Sequence, residues 1–228
     1  STDIFILNPS LFLNIKKTGF GNFSLSYSEN NTLPEVNQLT SNFQLTDYRN
    51  FSQGTAYNKP LKNQTTTLNY YIYNDEKRFS INTSVYYVNS KSIFNTISNL
   101  TNDFNFNSYI QTKGSNSYNF NFSFVNYVRK LKLASKIETN NSWITSPISV
   151  NSTEFLNAKS YSNSIKYSGT TYFKSKINFD FGFSYNYFQS NFQGIKTNNT
   201  TKDAFLNINY KISNTILAES NNSLYYVN

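Results

Sequence analysis

The chain has 228 residues, with 20 Lys and Arg against 12 Asp and Glu for a formal charge of +8, and no His, Cys or Met. Without Cys or His it holds no disulfide, no Cys/His metal centre and no Ser–His triad. Hydrophobic residues make up 38% and no apolar run approaches the ~20 residues of a membrane helix, so a membrane-crossing part would have to be a β-barrel.

Hydrophobic periodicity predicts an all-β chain, an antiparallel meander of about ten long strands in one segment, 1–228. The first strand covers residues 4–16 and the second 20–29, joined by Lys17-Thr18-Gly19, in which Gly19 takes the positive-φ position. Residues 30–63 form a long polar connection. The third strand is 64–74, followed by a turn at Asp75-Glu76-Lys77, and the fourth is 78–94. A loop over 99–103 leads to a long fifth strand, 104–128, in which Gly114 marks a bulge or a break. Arg129-Lys130 turns into the sixth strand, 131–145, and residues 146–157 form a loop. The seventh strand is 160–173. Lys174-Ser175 turns into the eighth, which ends near Gln193. Residues 194–200 form a loop, and strands over 202–212 and 215–227 close the chain around Ser213-Asn214.

The alternation has period two. Ile177, Phe179, Phe181, Phe183, Tyr185 and Tyr187 share one strand face, and Asn178, Asp180, Gly182, Ser184 and Asn186 share the other. Phe120-Phe122-Phe124 and Leu206-Ile208-Tyr210 repeat the pattern. A soluble sandwich uses such strands, and so does a transmembrane barrel with lipid on one face and a wet lumen on the other. The connections alternate between short and longer. That is the habit of outer-membrane barrels, which have short periplasmic turns and longer extracellular loops.

In a barrel, Lys136, Glu138, Lys166, Asp180 and Lys211 face the lumen, either as a charged path or plug contact or as ordinary wet-interior residues. Tyr27, Tyr87, Tyr127 and Tyr187 lie near strand ends, where phenol rings form interfacial girdles. The long connection carries Tyr48, Phe51 and Tyr57, the candidate substrate-binding residues; its aromatics meet a ligand or pack the loop onto the rim. No nucleophile elbow, phosphate loop or metal-ligand cluster is present, so the expectation is no enzyme, no cofactor, no metal and no catalytic residue. Dispersed lysines without an arginine cluster argue against nucleic acid. The many Asn-x-Ser/Thr triplets are those expected of an Asn- and Ser-rich chain. The lack of Met and of a signal-peptide pattern, with a strand-like run up to residue 228, is what an internal piece of a longer protein would show.

Ser24-Leu25-Ser26-Tyr27-Ser28, followed by Leu33-Pro34 and Gln38-Leu39, resembles the strand-and-loop signature of TonB-dependent receptor barrels of Bacteroidetes. Gly54 and Asn58-Lys59-Pro60-Leu61-Lys62 look like a degenerate form of that family's loop-closing motif, with the Gly and the final Pro displaced or replaced. The run Thr67 to Tyr73 is similar to the strand that follows. The resemblance in motif covers residues 20–75. It implies a bacterial outer-membrane barrel of about 22 strands with a plug. It also implies nutrient uptake driven by the TonB system, with a surface lipoprotein as a further partner and a small-molecule, glycan or peptide ligand. The plug, the TonB-contacting segment and the aromatic final strand have no counterpart in this sequence. The alternatives are a soluble extracellular adhesion or surface module, and a plugless pore or secretion-associated barrel.

Overall fold

The computed structural model describes residues 6–55, 59–101, 103–148, 155–213 and 216–227. The chain is all-β, 77% strand and 2% helix. Ten strands form one antiparallel sheet: β1 (Ser10–Lys17), β2 (Gly21–Thr32), β5 (Leu61–Asn74), β6 (Phe79–Ser90), β9 (Asn116–Val128), β10 (Leu133–Ile148), β11 (Leu156–Thr171), β12 (Ile177–Phe192), β13 (Ile195–Lys211) and β14 (Leu217–Val227), in that spatial order. The expected meander is present. Neighbours in space follow one another along the chain, apart from two excursions. The sheet is open, with β1 and β14 at its edges.

The excursions make a second sheet, ordered β3-β4-β8-β7, from β3 (Gln44–Asp47), β4 (Asn50–Gln53), β7 (Ser92–Leu100) and β8 (Asn105–Lys113). Here the structure corrects three sequence expectations. The fourth strand is two strands, broken at Lys91; the fifth is also two, broken at Gly114-Ser115, where Gly114 already offers a break in the sequence. At the break the backbones cross closely: Ser90 N–H donates to Ser115 O (2.9 Å) and Gly114 N–H to Lys91 O (3.0 Å). A Cβ at Gly114 would overlap the Ser90 carbonyl, so the crossing requires glycine.

The connection over 30–63 is likewise not a loop. β2 runs on to Thr32 and β5 begins at Leu61. Between them lies a one-turn helix, α1 (Val36–Leu39), with a Glu35–Gln38 capping box, and the β3–β4 hairpin. Gly54 N–H donates to Thr40 O (2.7 Å) and Thr55 N–H to Gln38 O (2.8 Å), closing the excursion on itself.

The third correction is the loop expected at 194–200. β12 and β13 meet in a two-residue turn, Gln193 (φ 52°) and Gly194 (φ 81°), both left-handed as the tightest hairpins require. Thr197 to Thr201 lie in a strand, and the alternation of connection lengths therefore stops at this hairpin. The turns expected at Gly19 (φ 81°), Asp75 to Lys77 and Arg129-Lys130 are present.

The register sorts side chains onto two faces. Cross-strand partners share a face, so Ile15, Phe23, Tyr70, Thr83, Phe122, Thr139, Ile165 and Tyr185 form one row. Extended along each strand, this face carries most of the Phe, Leu and Ile of the sheet, interrupted by Asn141, Asn163 and Lys202, while Phe12, Tyr71, Tyr86, Phe188 and Phe205 lie on the other face. No described element covers the apolar face. Apart from Pro34 and Pro147, Ile97, 7% exposed, is the one aliphatic or aromatic side chain buried among the described residues, and it lies in the small sheet. The accessible surface is 15,625 Å². A compact monomer of this mass would expose about 10,600 Å².

Candidate functional site

The face opposite the apolar one carries a central row of short polar side chains, again because of register. Asn14, Ser24, Asn69, Ser84, Asn121, Asn140, Ser164, Asn186 and Thr201 are direct neighbours across nine successive strands. Hydrogen bonds link several of these neighbours into a ladder. Asn69 Nδ2 donates to Ser24 Oγ (3.3 Å), and Asn121 Nδ2 to Ser84 Oγ (3.1 Å). Ser164 Oγ donates to Asn186 Oδ1 (2.6 Å), and Asn186 Nδ2 to Thr201 Oγ1 (3.2 Å). Amides and hydroxyls both donate and accept, so a row of them satisfies itself and still offers free valences to water or a ligand.

The five residues expected to face the lumen, Lys136, Glu138, Lys166, Asp180 and Lys211, all lie on this polar face. Lys136 Nζ is 2.7 Å from Glu138 Oε1, and Glu138 stands directly across from Lys166. Asn209 Nδ2 donates to Asp180 Oδ2 (2.8 Å). Lys211 lies at the turn end of β13, away from the others. Sequence reasoning passed over Asp203, which accepts from Ser184 Oγ (2.6 Å) on the same face. Its odd position in the run Asp203, Phe205, Asn207, Asn209 was the available signal. The ladder borders a depression of about 260 Å³ lined by Asn140, Ser164, Asn186, Phe188 and Thr201 among others. This surface is equipped for hydrogen bonding to neutral polar groups.

The apolar face changes character toward the longer connections. Tyr27, Thr66, Tyr87, Tyr118, Trp143, Tyr161 and Gln189 form one cross-strand row. Tyr87 stacks on Tyr118 (4.5 Å), and Trp143 lies 5.2 Å from Tyr161. The next row outward is polar: Glu29, Gln64, Asn89, Asn116, Thr145, Lys159, Asn191 and Lys196. There Lys62 Nζ meets Glu29 Oε1 (2.5 Å), and Gln64 Nε2 donates to Glu29 Oε2 (3.0 Å). Of the aromatics expected in a girdle, Tyr27 and Tyr87 lie in the aromatic row. Tyr187 is one row nearer the turns, 6.1 Å from Tyr161. Tyr127 is corrected: it pairs with Ala134 on the polar face, at the turn end, where Arg78 lies 5.2 Å from its ring.

Tyr48 and Phe51 occupy different surroundings. Tyr48 is at the tip of the β3–β4 hairpin, 78% exposed, with the Arg49 guanidinium 5.0 Å from its ring. Phe51 stacks on Phe106 (5.3 Å) and meets Phe104 edge-on (5.7 Å), joining β4 to the parallel strand β8. Of the two, Tyr48 is the one presented outward. Tyr57 lies outside the described residues.

Comparison with protein-family models, with curated proteins and with solved structures finds no match for this chain.

Proposed function

We propose that this chain is part of the wall of a bacterial outer-membrane β-barrel, with its apolar face against lipid and its Asn/Ser face toward a wet lumen. The observation that carries this reading is a single ten-stranded layer with one predominantly apolar face on which no described element packs. The surface in excess of a compact fold is about 5,000 Å². If half of it is apolar, leaving it in water costs about 60 kcal/mol at ~25 cal/mol per Å², several times the ~5–15 kcal/mol margin of a folded domain. Lipid removes that cost. A soluble sandwich would need a second large sheet on this face, and the other sheet has four strands.

Two further features support the reading. Along the apolar face, rows pass from aliphatic and Phe to Tyr and Trp and then to charged and amide side chains, the order of hydrocarbon, interface and water. The connections at one end are all short turns, while those at the other include both excursions. Within this reading the role is that of a TonB-dependent transporter. Extracellular loops that include exposed Tyr48 capture a nutrient, and the polar lumen passes it inward under a plug supplied by the longer protein. That role rests on the resemblance of residues 20–75.

The test is folding from urea with and without neutral detergent micelles, followed by circular dichroism and heat-modified gel mobility. A β spectrum and a mobility shift that depend on the micelle are expected. A monomer that melts cooperatively in plain buffer would sink the proposal.

A further inference from the structure

The net charge of the chain is concentrated at one edge of the ten-stranded sheet. The five short turns, 16–21, 74–79, 128–133, 171–177 and 211–217, all lie at the same end. They hold ten of the chain's twenty Lys and Arg and two of its twelve Asp and Glu, so this rim alone carries +8 and the rest of the chain is neutral. The β9–β10 turn has Arg129, Lys130 and Lys132, and the β11–β12 turn has Lys174 and Lys176. Lys16-Lys17 and Lys77-Arg78 flank the first two turns, and Lys211 ends β13.

No ion pair among the described residues neutralises these cations. The two ion pairs among the described residues, Lys62–Glu29 and Lys136–Glu138, lie elsewhere. Of the two acids at the rim, Asp75 accepts from Tyr73 OH (3.0 Å). Several cations are instead held against aromatic or backbone groups. Lys17 Nζ is 4.6 Å from the Phe20 ring, Arg78 is 5.2 Å from Tyr127, and Arg129 Nη2 donates to Glu76 O (2.7 Å). The rim continues directly from the apolar face, since Phe79, Leu133 and Ile177 open the strands that leave these turns. A cation at the end of an apolar strand face sits where hydrocarbon gives way to headgroups.

We infer that the short-turn rim binds the headgroups of anionic phospholipids, fixing the depth and orientation of the sheet in one leaflet. The inference rests on the membrane reading above. An arc of positive charge over five adjacent turns complements a layer of phosphate-bearing headgroups, whereas a neutral ligand gains nothing from it. A phosphatidylglycerol headgroup has the required negative charge and is fixed at that depth by its own acyl chains.

The experiment uses the whole chain folded in neutral micelles and given equimolar phosphatidylcholine and phosphatidylglycerol. Lipids retained on release from the micelle are counted by native mass spectrometry. Two variants that remove equal charge are compared. One is Lys16→Gln, Lys17→Gln, Lys174→Gln and Lys176→Gln at the rim. The other is Lys91→Gln, Lys113→Gln, Lys159→Gln and Lys196→Gln toward the other end, all exposed. One cation near an anionic surface is worth about fivefold. The parent chain should therefore retain phosphatidylglycerol over phosphatidylcholine at least fivefold, and so should the second variant. The rim variant should fall to near parity. Equal loss in both variants would assign the effect to net charge and overturn the inference. So would displacement of the lipid by inorganic phosphate at matched ionic strength. Folding in the micelle with no preference between the lipids would overturn this inference alone, and failure to fold in any micelle would overturn the membrane reading with it.

Discussion

Two adjacent residues of β12 separate a lipid-facing wall from a water-exposed sheet. Phe183 is 48% exposed in the middle of the apolar face, opposite Tyr167 and Ala204, and Ser184 is on the polar face, opposite Lys166 and Asp203. Arginine near a bilayer midplane destabilises a barrel by about 2–4 kcal/mol, a roughly 30- to 900-fold change in the folding equilibrium. Phe183→Arg should cost that amount in micelles or vesicles. Ser184→Arg loses a hydrogen bond to the Asp203 carboxylate, worth about 1.5–3 kcal/mol, and gains an ion pair with that carboxylate in a wet environment, leaving a net cost of about 1 kcal/mol. The difference between neighbours should therefore be at least about 1–2 kcal/mol. Urea titration followed through Trp143, the only tryptophan, measures both. A half-exposed site facing water would tolerate Arg within about 0.5 kcal/mol. If Phe183→Arg proves no more costly than Ser184→Arg, the assignment of the apolar face to lipid is wrong.

Gly114→Ala should cost more than about 2 kcal/mol, because its methyl group overlaps the Ser90 carbonyl at the crossing; hydrogen exchange should accelerate across Ser92–Lys113 and stay slow in β10 to β12. Gly194→Ala meets no neighbouring atom and should cost about 1 kcal/mol through its positive φ alone, visible as a small shift of the urea midpoint with an unchanged slope. Phe51→Ala removes the stack on Phe106 and should weaken the β4–β8 pairing by about 2–3 kcal/mol. Faster exchange confined to Asn50–Gln53 and Asn105–Lys113 is the readout, and an unaffected exchange pattern contradicts the packing role. Asn186→Ala breaks two ladder hydrogen bonds, to Ser164 and Thr201, for about 1–2 kcal/mol. The larger figure is expected if the polar face is dry in the assembled protein and the smaller if water replaces the amide.

The two faces were legible in the sequence because alternation is a local property of extended backbone. Phe179 and Asp180 must point apart whatever surrounds them, and the five charges expected on one side share a face for that reason. The turns at Gly19 and Asp75 to Lys77 were legible for the same reason, through residues suited to tight reversals. Local chemistry misled at Thr197 to Thr201, which are polar on both faces and still form a strand. They lie beyond the apolar band, so period-two hydrophobicity fades while backbone pairing with β12 continues. The β3–β4 hairpin was hidden because its strands are only four residues each, and the order of the second sheet depends on partners far away in the chain. β4 exists by pairing with β8 some fifty residues on, and the break at Gly114 is forced by the carbonyl of Ser90 rather than by its own neighbours. The Asn/Ser ladder and the aromatic row also belong to the tertiary structure. Each residue's face is fixed within its own strand, but alignment across nine strands is fixed by hydrogen-bond register, which no single segment of sequence encodes.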